Sequence, residues 1–398
     1  MHSTFSPLAL AAFTAVSAMG TGTDATRQAL RGRQGGLRPA GPEDRPATWV
    51  GRVAGVDAVE LPPGLARYDC RNNRLAELAL RQDGFAHAAE QARARYGAAR
   101  VAVILGTSTS GIAETEAAYR RRPEGQTALP EDFDFAATHD LFALPRYVRA
   151  RLGLHGPALT ISTACTSGAR AFLEASTMLR AGLCDAAVVG GVDTLCQMTL
   201  QGFGSLALLA QGPTRPCAAS RDGITVGEAA GFALLVRPED APAGTPQLLG
   251  AGASSDGHHM SSPHPDGLGA VSAMRAALAA AGLEPGQIDY INLHGTGTRA
   301  NDAMEDLAIH RVFGAAVPCS STKGWTGHAL GASGAIEAMI AAICIEEGLV
   351  PGCLGIAAAD PAFRSDVATG NRAVRVRRVL SNSFGFGGSN CSLVIGQG

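Results

Sequence analysis

Short apolar segments that begin or end with glycine alternate with helical segments along this chain of 398 residues. Runs that are apolar at every position, rather than at every second one, are typical of strands buried on both faces. They cover residues 101–106, 186–191 and 231–236. Segments with helical periodicity cover residues 169–181, 270–281 and 333–348. Buried strands with helices between them require packed layers, so the sequence predicts an α/β fold.

The composition excludes several classes of protein. Apolar residues make up 46% of the chain and charged residues 17%, which is typical of a globular protein rather than a disordered one. A formal net charge of −2 leaves no basic surplus for nucleic acid or an anionic membrane surface. No apolar run approaches the roughly 18 residues of a membrane span. The nine cysteines are dispersed, without a CxxC pair or zinc spacing, which predicts reduced thiols and a cytoplasmic location.

A segment rich in proline, residues 237–246, interrupts the alternation. Because both flanks show the α/β pattern, we predict two similar halves, residues 1–243 and residues 244–398. The apolar first twenty residues resemble a signal peptide but lack its positively charged start. We therefore predict an opening strand at residues 11–16 and a helix at residues 24–30.

The first segment that indicates chemistry surrounds Cys165. An apolar strand ends in small residues, the cysteine follows, and a helical run begins. The dipole and the free N–H groups of a helix N-terminus favour a thiolate. Small flanking residues allow a sharp turn and close approach of a substrate, as at a nucleophile elbow. A buried structural cysteine is the alternative, but the small-residue frame favours a nucleophile.

The second segment is a strand that ends in a histidine. His294 follows the apolar residues 290–293 and precedes a Gly-Thr loop, a place where catalytic side chains are common. Asp302 and Glu305 come next, at the start of a helix. Capping of that helix and compensation of its dipole explain part of their presence.

The third segment contains the single lysine of the chain, Lys323, against 32 arginines. Since arginine supplies nearly every other positive charge, a lysine here indicates a need for a compact ammonium with three rotatable donors. Chance survival of one lysine codon is the alternative. His328 follows on the same Gly/Thr-rich turn, just before a helix of small residues.

The fourth segment places two phenylalanines, Phe384 and Phe386, among glycines, where neither a helix nor a strand is favoured. Free backbone amides there would suit an oxyanion hole, and a plain tight turn is the alternative. A cysteine, two histidines and a lysine, each on a turn of small residues and in this order, point to one shared site.

With these motifs the chain resembles the elongating β-ketoacyl-acyl carrier protein synthases (ketosynthases) of the thiolase superfamily. The resemblance runs over nearly the whole chain and includes residues 221–223, 227–228 and 263–267. It implies a thiolase-like layered αβαβα fold made of two similar halves. The Cys-His-His set distinguishes this branch from initiating synthases, which use Cys-His-Asn, and from chain-length-factor partners, which lack the cysteine.

The resemblance implies a reaction, the decarboxylative Claisen condensation of an acyl thioester with malonyl-acyl carrier protein. Cys165 would carry the acyl chain. His294 and His328 would stabilise the enolate that forms when the malonyl thioester loses carbon dioxide, and Lys323 would hold a histidine. Neutral histidines can donate hydrogen bonds there without a full cation that would trap the carboxylate.

Supporting roles are also implied by the resemblance. The residues that would support the active-site loops are Asp302 and Glu305. The amides of Cys165 and Phe386 would form the oxyanion hole, and Phe386 would gate the acyl pocket. The residues that would line this pocket are Thr109, Ile112, Phe203 and Phe384. The positions that match a monovalent cation site in some relatives are Asn292, Glu337, Ser381 and Asn382. No metal is required, and no cofactor is expected beyond the phosphopantetheine thioester of the substrate.

The chain departs from the family pattern at two places. Family members often carry Pro-Phe-Asp where this chain has Pro216-Cys217-Ala218, which puts the packing of that loop in doubt. Thr109 is a small polar residue at the expected pocket floor and would alter the accepted chain length. Residues 68–75 together with residues 323–325 resemble the ketosynthases of aryl-polyene pigment clusters.

The resemblance implies protein partners, namely an acyl carrier protein and a second ketosynthase-like chain in a homodimer or heterodimer. Carrier proteins are acidic, so a basic entrance is expected. Arg67, Arg71 and Arg74 lie at helical spacing and are candidates for it, with a solvated helix face as the alternative. The pathway, whether fatty acid, polyketide or aryl polyene, stays open.

Two other functions compete with an active condensing enzyme. A thiolase would use a second cysteine near the C-terminus as base, and Cys391 lies in that region. The glycine frame of Phe386 and the two histidines favour the ketosynthase. A scaffold subunit that needs a heterodimeric partner is the third possibility, against which the complete Cys-His-His-Lys set argues.

Overall fold

The computed structural model describes residues 5–42 and 44–397. The strands in this part of the chain are β1 (Leu8–Ser17), β2 (Gly20–Thr21), β3 (Arg38–Pro39), β4 (Trp49–Gly51), β5 (Val101–Gly106), β6 (Ala158–Ile161), β7 (Ala186–Asp193), β8 (Val226–Gly227), β9 (Ala229–Val236), β10 (Pro246–Ser255), β11 (Tyr290–Asn292), β12 (Pro318–Ser320), β13 (Leu349–Val350), β14 (Asp366–Val367), β15 (Arg372–Ala373), β16 (Arg378–Phe384) and β17 (Ser389–Gln397). The helices are α1 (Thr23–Gly32), α2 (Arg71–Leu80), α3 (Phe85–Tyr96), α4 (Ile112–Arg121), α5 (Ala143–Leu152), α6 (Ser167–Arg180), α7 (Gln197–Ser205), α8 (Leu268–Ala281), α9 (Arg299–Phe313), α10 (Lys323–Thr326) and α11 (Ser333–Glu347).

The elements predicted from the apolar pattern are present. The three fully apolar runs lie in β5, β7 and β9, and every residue of these strands is buried. The three helical segments correspond to α6, α8 and α11, and the predicted opening strand and helix are β1 and α1. Residues 1–4 and 43 of the predicted first half, and residue 398 of the second, lie outside the described residues.

The strands of the two halves follow one plan. In the N-terminal half, β6, β5 and β7 are parallel, and β9 and β1 extend the sheet antiparallel. In the C-terminal half, β14, β12, β11 and β16 are parallel, and β17 and β10 extend the sheet antiparallel. The pairs Leu8↔Leu248 and Ala9↔Gln247 join β1 to β10. The expectation of two similar halves is therefore confirmed.

The paired strands of both halves form one continuous sheet of 12 strands, and helices α6 and α11 lie between its N-terminal and C-terminal parts. Helix α11 is buried over residues 333–345 and apolar around most of its circumference, as expected of a helix packed on all sides. Residues of α6, of α11 and of strands from both halves form one core. Helices α2, α3 and α5 cover the outer face of the N-terminal sheet, and α8 and α9 cover the outer face of the C-terminal sheet. These layers are the predicted αβαβα arrangement.

The layering brings the four sequence motifs together. The two central helices begin just after the turns that carry Cys165 and His328, and β11 and β16 end near His294 and Phe386. These turns and strand ends belong to both halves, so the site lies where the halves meet. Among the described residues, no helix combines the length and the apolar character needed to cross a membrane.

Candidate active site

Cys165 lies on a tight turn between β6 and α6. Ala164, just before it, adopts a φ of 53°, in the left-handed region that residues other than glycine seldom occupy. The hydroxyl of Ser167 donates to the carbonyl of Ala164 at 2.6 Å and accepts from the N–H of Thr163 at 2.9 Å. Cys165 is only 7% exposed. The predicted sharp turn is present, and it holds the thiol away from bulk water.

His328 faces Cys165 across the site. Its Nε2 lies 3.1 Å from the Cys165 sulfur. On the other side of the ring, Nδ1 accepts from the N–H of Leu330 at 3.1 Å and lies 2.9 Å from the hydroxyl of Ser333. Because an amide N–H can only donate, Nδ1 is an acceptor and the ring proton resides on Nε2. Burial, aided by the charge of Lys323, lowers the pKa of His328 well below its usual value. His328 is therefore a neutral donor aimed at the reacting sulfur.

Lys323 orients the second histidine, His294. The lysine Nζ lies 3.3 Å from Nδ1 of His294 and 2.5 Å from Oε1 of Glu337, and Lys323 is 1% exposed. An ammonium group can only donate, so Nδ1 of His294 accepts and its Nε2 carries the proton. Burial lowers the pKa of His294 well below its usual value, and the charge of Lys323 acts in the same direction. This ring is also a neutral donor.

The two histidines form a pair of hydrogen-bond donors rather than a pair of metal ligands. Their ring centroids are 5.3 Å apart with an interplanar angle of 86°. One ligand atom each from Cys165, His294 and His328 lies within 4.8 Å of the others, a spacing that also suits a metal ion. A metal would need the lone pair of each Nε2. The Leu330 N–H and the Lys323 ammonium donate to the Nδ1 atoms instead, so each Nε2 carries the ring proton and has no lone pair to offer. The set is therefore suited to holding an oxyanion.

The burial of Cys165 opposes the thiolate that the sequence led us to expect. Burial raises the pKa of this thiol to about 11, although the charge of Lys323 and the backbone N–H of Phe386 favour the thiolate. The expectation of a favoured thiolate is wrong because desolvation outweighs these contributions.

A pH dependence follows from this raised pKa. Since the thiolate fraction rises with pH below the pKa, alkylation of Cys165 by iodoacetamide should accelerate about tenfold per pH unit between about pH 7 and about pH 9. Peptide mapping by mass spectrometry measures the rate at this residue alone. A rate that levels off below about pH 8 would contradict the raised pKa.

A cavity of about 420 Å³ leads to the three reactive side chains. Phe203, Phe384 and Phe386 line it near Cys165, and the ring centroids of Phe203 and Phe386 are 5.8 Å apart. Gly385 packs against the cysteine, since a Cβ at this position would lie 3.2 Å from the backbone nitrogen of Cys165. Gly387, with a φ of 80°, completes the turn around Phe386. The polar residues that line the cavity include Ser261, Ser262, Thr296, Thr298 and Arg299, of which Ser262 and Arg299 are exposed and Thr296 is buried.

Two predicted pocket residues lie elsewhere. The described residues that line the cavity include neither Thr109 nor Ile112. The hydroxyl of Thr109 instead donates to the carboxylate of Asp193 at 2.9 Å. Asp193 also accepts from the N–H of Gly331 at 2.6 Å and so ties the end of β7 to the His328 segment. Asp193 was not predicted as a site residue. The one sign of it in the sequence is that an acidic residue ends an otherwise apolar strand.

The two acids of α9 support active-site loops, as predicted. Glu305 accepts from the N–H groups of His294 at 2.8 Å and Gly295 at 2.7 Å. Asp302 accepts from the N–H of Gly297 at 3.1 Å and of Cys217 at 2.9 Å. Burial raises the pKa of Glu305 to about 7. These carboxylates shape the backbone that presents His294, and this role goes beyond capping of their own helix.

Of the four residues matched to a cation site, Glu337 contacts the lysine directly. Asn292 pairs with Ser381 between β11 and β16. The side chains of Asn292 and Glu337 are both buried. Among the described residues, the Oδ1 and Nδ2 atoms of Asn292 and the Oε2 atom of Glu337 have no hydrogen-bond partner. The Asn382 amide is engaged, since it donates to Glu305 and accepts from Ser392. Unpartnered buried oxygens of this kind fit a hard monovalent cation.

The three arginines expected at the entrance are neutralised. Arg67 pairs with Asp134 at 2.8 Å, Arg74 pairs with Asp69 at 2.5 Å, and Arg71 pairs with the buried Glu228 at 2.6 Å. Each guanidinium has a carboxylate beside it, so these residues together present no net positive charge. The expectation that they form a basic entrance is not supported, whereas the exposed Arg299 lines the cavity itself.

The predicted thiolase base is also absent from the cavity lining. Cys391 lies on β17 and is fully buried in the core between the sheets. It is not among the described residues that line the cavity. The sequence alternative of a thiolase, in which this cysteine would act as base, therefore lacks its second catalytic group.

Comparison with known proteins agrees with this site. Residues 73–241 match the family described as beta-ketoacyl synthase, N-terminal domain, and residues 246–357 match the beta-ketoacyl synthase, C-terminal domain. The chain is 39% identical to the mitochondrial 3-oxoacyl-[acyl-carrier-protein] synthase of Arabidopsis thaliana over 62% of this chain and 58% of that protein. It is 35% identical to 3-oxoacyl-[acyl-carrier-protein] synthase 2 of Rhizobium meliloti (strain 1021) over 74% of this chain and 73% of that protein.

A solved structure is similar over the whole length. It is described as the ketosynthase (ApeO) in complex with its chain length factor (ApeC) from Xenorhabdus doucetiae. The similarity covers 100% of both chains, with a TM-score of 0.90 and 38% identity. From the match to both domains and the assembled Cys-His-His site, we conclude that the chain belongs to the beta-ketoacyl synthase family and is an enzyme of the condensing class.

Proposed function

We propose that this chain is the condensing subunit of a two-chain ketosynthase that extends acyl chains with malonyl-acyl carrier protein in aryl-polyene or related polyketide synthesis. Its similarity along the full length to a ketosynthase structure solved with a chain length factor supports this proposal. A homodimeric synthase of fatty acid synthesis is the second candidate, favoured by relatives named 3-oxoacyl-[acyl-carrier-protein] synthase 2.

Acyl transfer is the first step. The Cys165 sulfur attacks the carbonyl carbon of the acyl thioester on the carrier protein, and the phosphopantetheine thiol leaves with the proton. The backbone N–H groups of Cys165 and Phe386 point at the sulfur region and donate to the oxyanion of the tetrahedral intermediate. The product is an acyl thioester on Cys165 in a site that excludes most water.

Condensation is the second step. Malonyl thioester loses carbon dioxide, and the electron pair moves onto the thioester oxygen as an enolate. The Nε2–H groups of His294 and His328 hold this oxygen, and because both rings are neutral they favour departure of the carboxylate. The enolate carbon then attacks the acyl carbonyl, the bond to the Cys165 sulfur breaks, and 3-oxoacyl-acyl carrier protein forms.

The carrier protein delivers both substrates through the cavity mouth. Ser261, Thr296 and Thr298 provide hydroxyl groups along the cavity, and the exposed Arg299 provides a positive charge in its lining. A phosphopantetheine arm on an acidic carrier protein suits this lining. Phe386 would act as the gate, since its ring meets that of Phe203 in the lining of the cavity.

The partner subunit binds the open edge of the N-terminal sheet. The strand order ends at β6, which among the described residues pairs only with β5. Leu159 on this strand is 40% exposed, and Leu141, whose carbonyl accepts from Thr160, is 38% exposed. An edge strand with exposed leucines is a template for pairing with another chain. This edge is the observation that carries the proposal of a second ketosynthase-like chain.

Replacing Leu159 by arginine should separate the chains, because the new charge would be buried against the partner. We expect wild type to co-purify with a co-expressed ketosynthase-like partner and the L159R variant to elute at the mass of one chain, 40.6 kDa. Size-exclusion chromatography with light scattering measures both.

The matched control is V374R, since Val374 is 44% exposed on the C-terminal half. This variant should assemble like wild type. Full assembly of L159R would contradict the placement of the interface, and a self-associating wild type that ignores the partner would favour the homodimeric candidate.

A structural monovalent cation is a further part of the proposal. Asn292, Ser381 and the free carboxylate oxygen of Glu337 would hold it. It would balance the charge of Glu337, whose pKa burial raises to about 7 against the opposing effect of Lys323. The side chain of Asn382 is already engaged and would not take part.

A further inference from the structure

Helix α7 is capped by a residue from another helix. Its own N-cap residue, Cys196, makes no capping bond with its side chain. Instead the carboxylate of Glu116, on α4, accepts from the N–H of Gln197 at 3.0 Å and from the N–H of Met198 at 2.7 Å. The first N–H groups of a helix have no partner within the helix, and a negative charge there also complements the helix dipole. Glu116 therefore anchors the start of α7.

The other end of α7 reaches the active site. Phe203 lies on this helix, and Ala207 and Leu208 follow it; all three line the cavity that leads to Cys165. The Phe203 ring meets the ring of Phe386 with centroids 5.8 Å apart. Because helix α7 is short and rigid, an error in the placement of its first turn moves Phe203 relative to Phe386.

We propose that Glu116 is a positioning residue for acyl transfer, which sets Phe203 against the Phe386 gate by capping α7. Nothing in the reaction requires Glu116 to touch the substrate, and its effect passes through the helix. The inference rests on the gating role proposed for Phe386, so the experiment separates the two.

The same helix supplies a matched control. Glu114, which is also on α4, accepts from the N–H of Arg71 at 2.6 Å and so caps the start of α2. Glu114 and Glu116 have the same chemistry on the same element, but only Glu116 caps the helix that carries Phe203. Loss of stability common to both variants can therefore be separated from an effect on acyl transfer.

The test measures acylation of Cys165 by a long-chain acyl-acyl carrier protein, with intact-mass detection, in the full chain together with any partner that wild type needs. We expect Glu116→Ala to slow acylation about tenfold, because a small displacement near a reacting centre is costly. Glu116→Gln keeps one acceptor oxygen and should recover most of the rate. Glu114→Ala, the matched control, should stay within about twofold of wild type.

A double-mutant cycle with Phe203→Ala decides whether Glu116 acts through Phe203. If it does, Glu116→Ala adds little to the loss already caused by Phe203→Ala. Full additivity, or equal slowing by Glu114→Ala and Glu116→Ala, would overturn the inference and leave Glu116 with a purely structural role. If Phe203→Ala itself leaves acylation unchanged, the gating role fails, and the inference fails with it.

Discussion

Replacement of Cys165 by alanine is expected to abolish condensation but to leave decarboxylation of malonyl-acyl carrier protein. The variant loses the sulfur that carries the acyl chain, so we expect the 3-oxoacyl product to fall by more than about 10³-fold. The Nε2–H donors of His294 and His328 are held from their other ring nitrogens by Lys323 and Leu330, not by the cysteine. The enolate should therefore still form, and it should end as acetyl-acyl carrier protein.

Intact-mass spectrometry of the protein and of the carrier protein measures both the acyl adduct on Cys165 and the product on the carrier protein. Wild type should show an acyl adduct that disappears when the malonyl donor is added, and C165A should show no adduct. The control is C391A, which removes the buried cysteine in the region of the second thiolase cysteine. We expect it to condense like wild type. An adduct on C165A, or loss of activity in C391A, would contradict the assignment.

The local parts of this site were predictable because each one leaves a trace in the neighbouring sequence. A buried strand that ends in small residues and is followed by a helix predicts a turn such as the one at Cys165. The glycines around Phe386 indicate a tight turn, because glycine readily adopts the positive φ angles that such a turn requires. The single lysine in a chain rich in arginine predicted that Lys323 makes specific contacts. Its contacts with Glu337 and His294 confirm this prediction.

The parts that could not be predicted depend on contacts between distant segments. The spacing in the sequence predicted a basic face formed by Arg67, Arg71 and Arg74. Only the folded chain shows the carboxylates that balance their charges. Thr109 was predicted to form the floor of the pocket. Its hydroxyl instead donates to Asp193, and no local sequence pattern links these two residues. The raised pKa of Cys165 likewise comes from burial by the whole fold.

Exchange of Lys323 for arginine should preserve the fold and the charge yet lower condensation about 10²-fold. The ammonium occupies a fully enclosed space, 2.5 Å from Glu337 and 3.3 Å from Nδ1 of His294. A guanidinium is larger and planar, so it cannot keep both contacts without displacing one partner. When the bond to Nδ1 is lost, the proton is free to move there, and His294 no longer presents a donor to the enolate.

The variant Lys323→Met separates the charge of this residue from its geometry. If only a positive charge were needed, K323R would condense like wild type and K323M would not. If the compact donor matters, both variants should lose condensation, while acylation of Cys165 should fall less, because His294 acts mainly on the malonyl unit. Rates of adduct formation and of 3-oxoacyl product release, measured on samples with matched melting temperatures, distinguish these cases. Wild-type turnover in K323R would mean that the single lysine is not needed for its geometry.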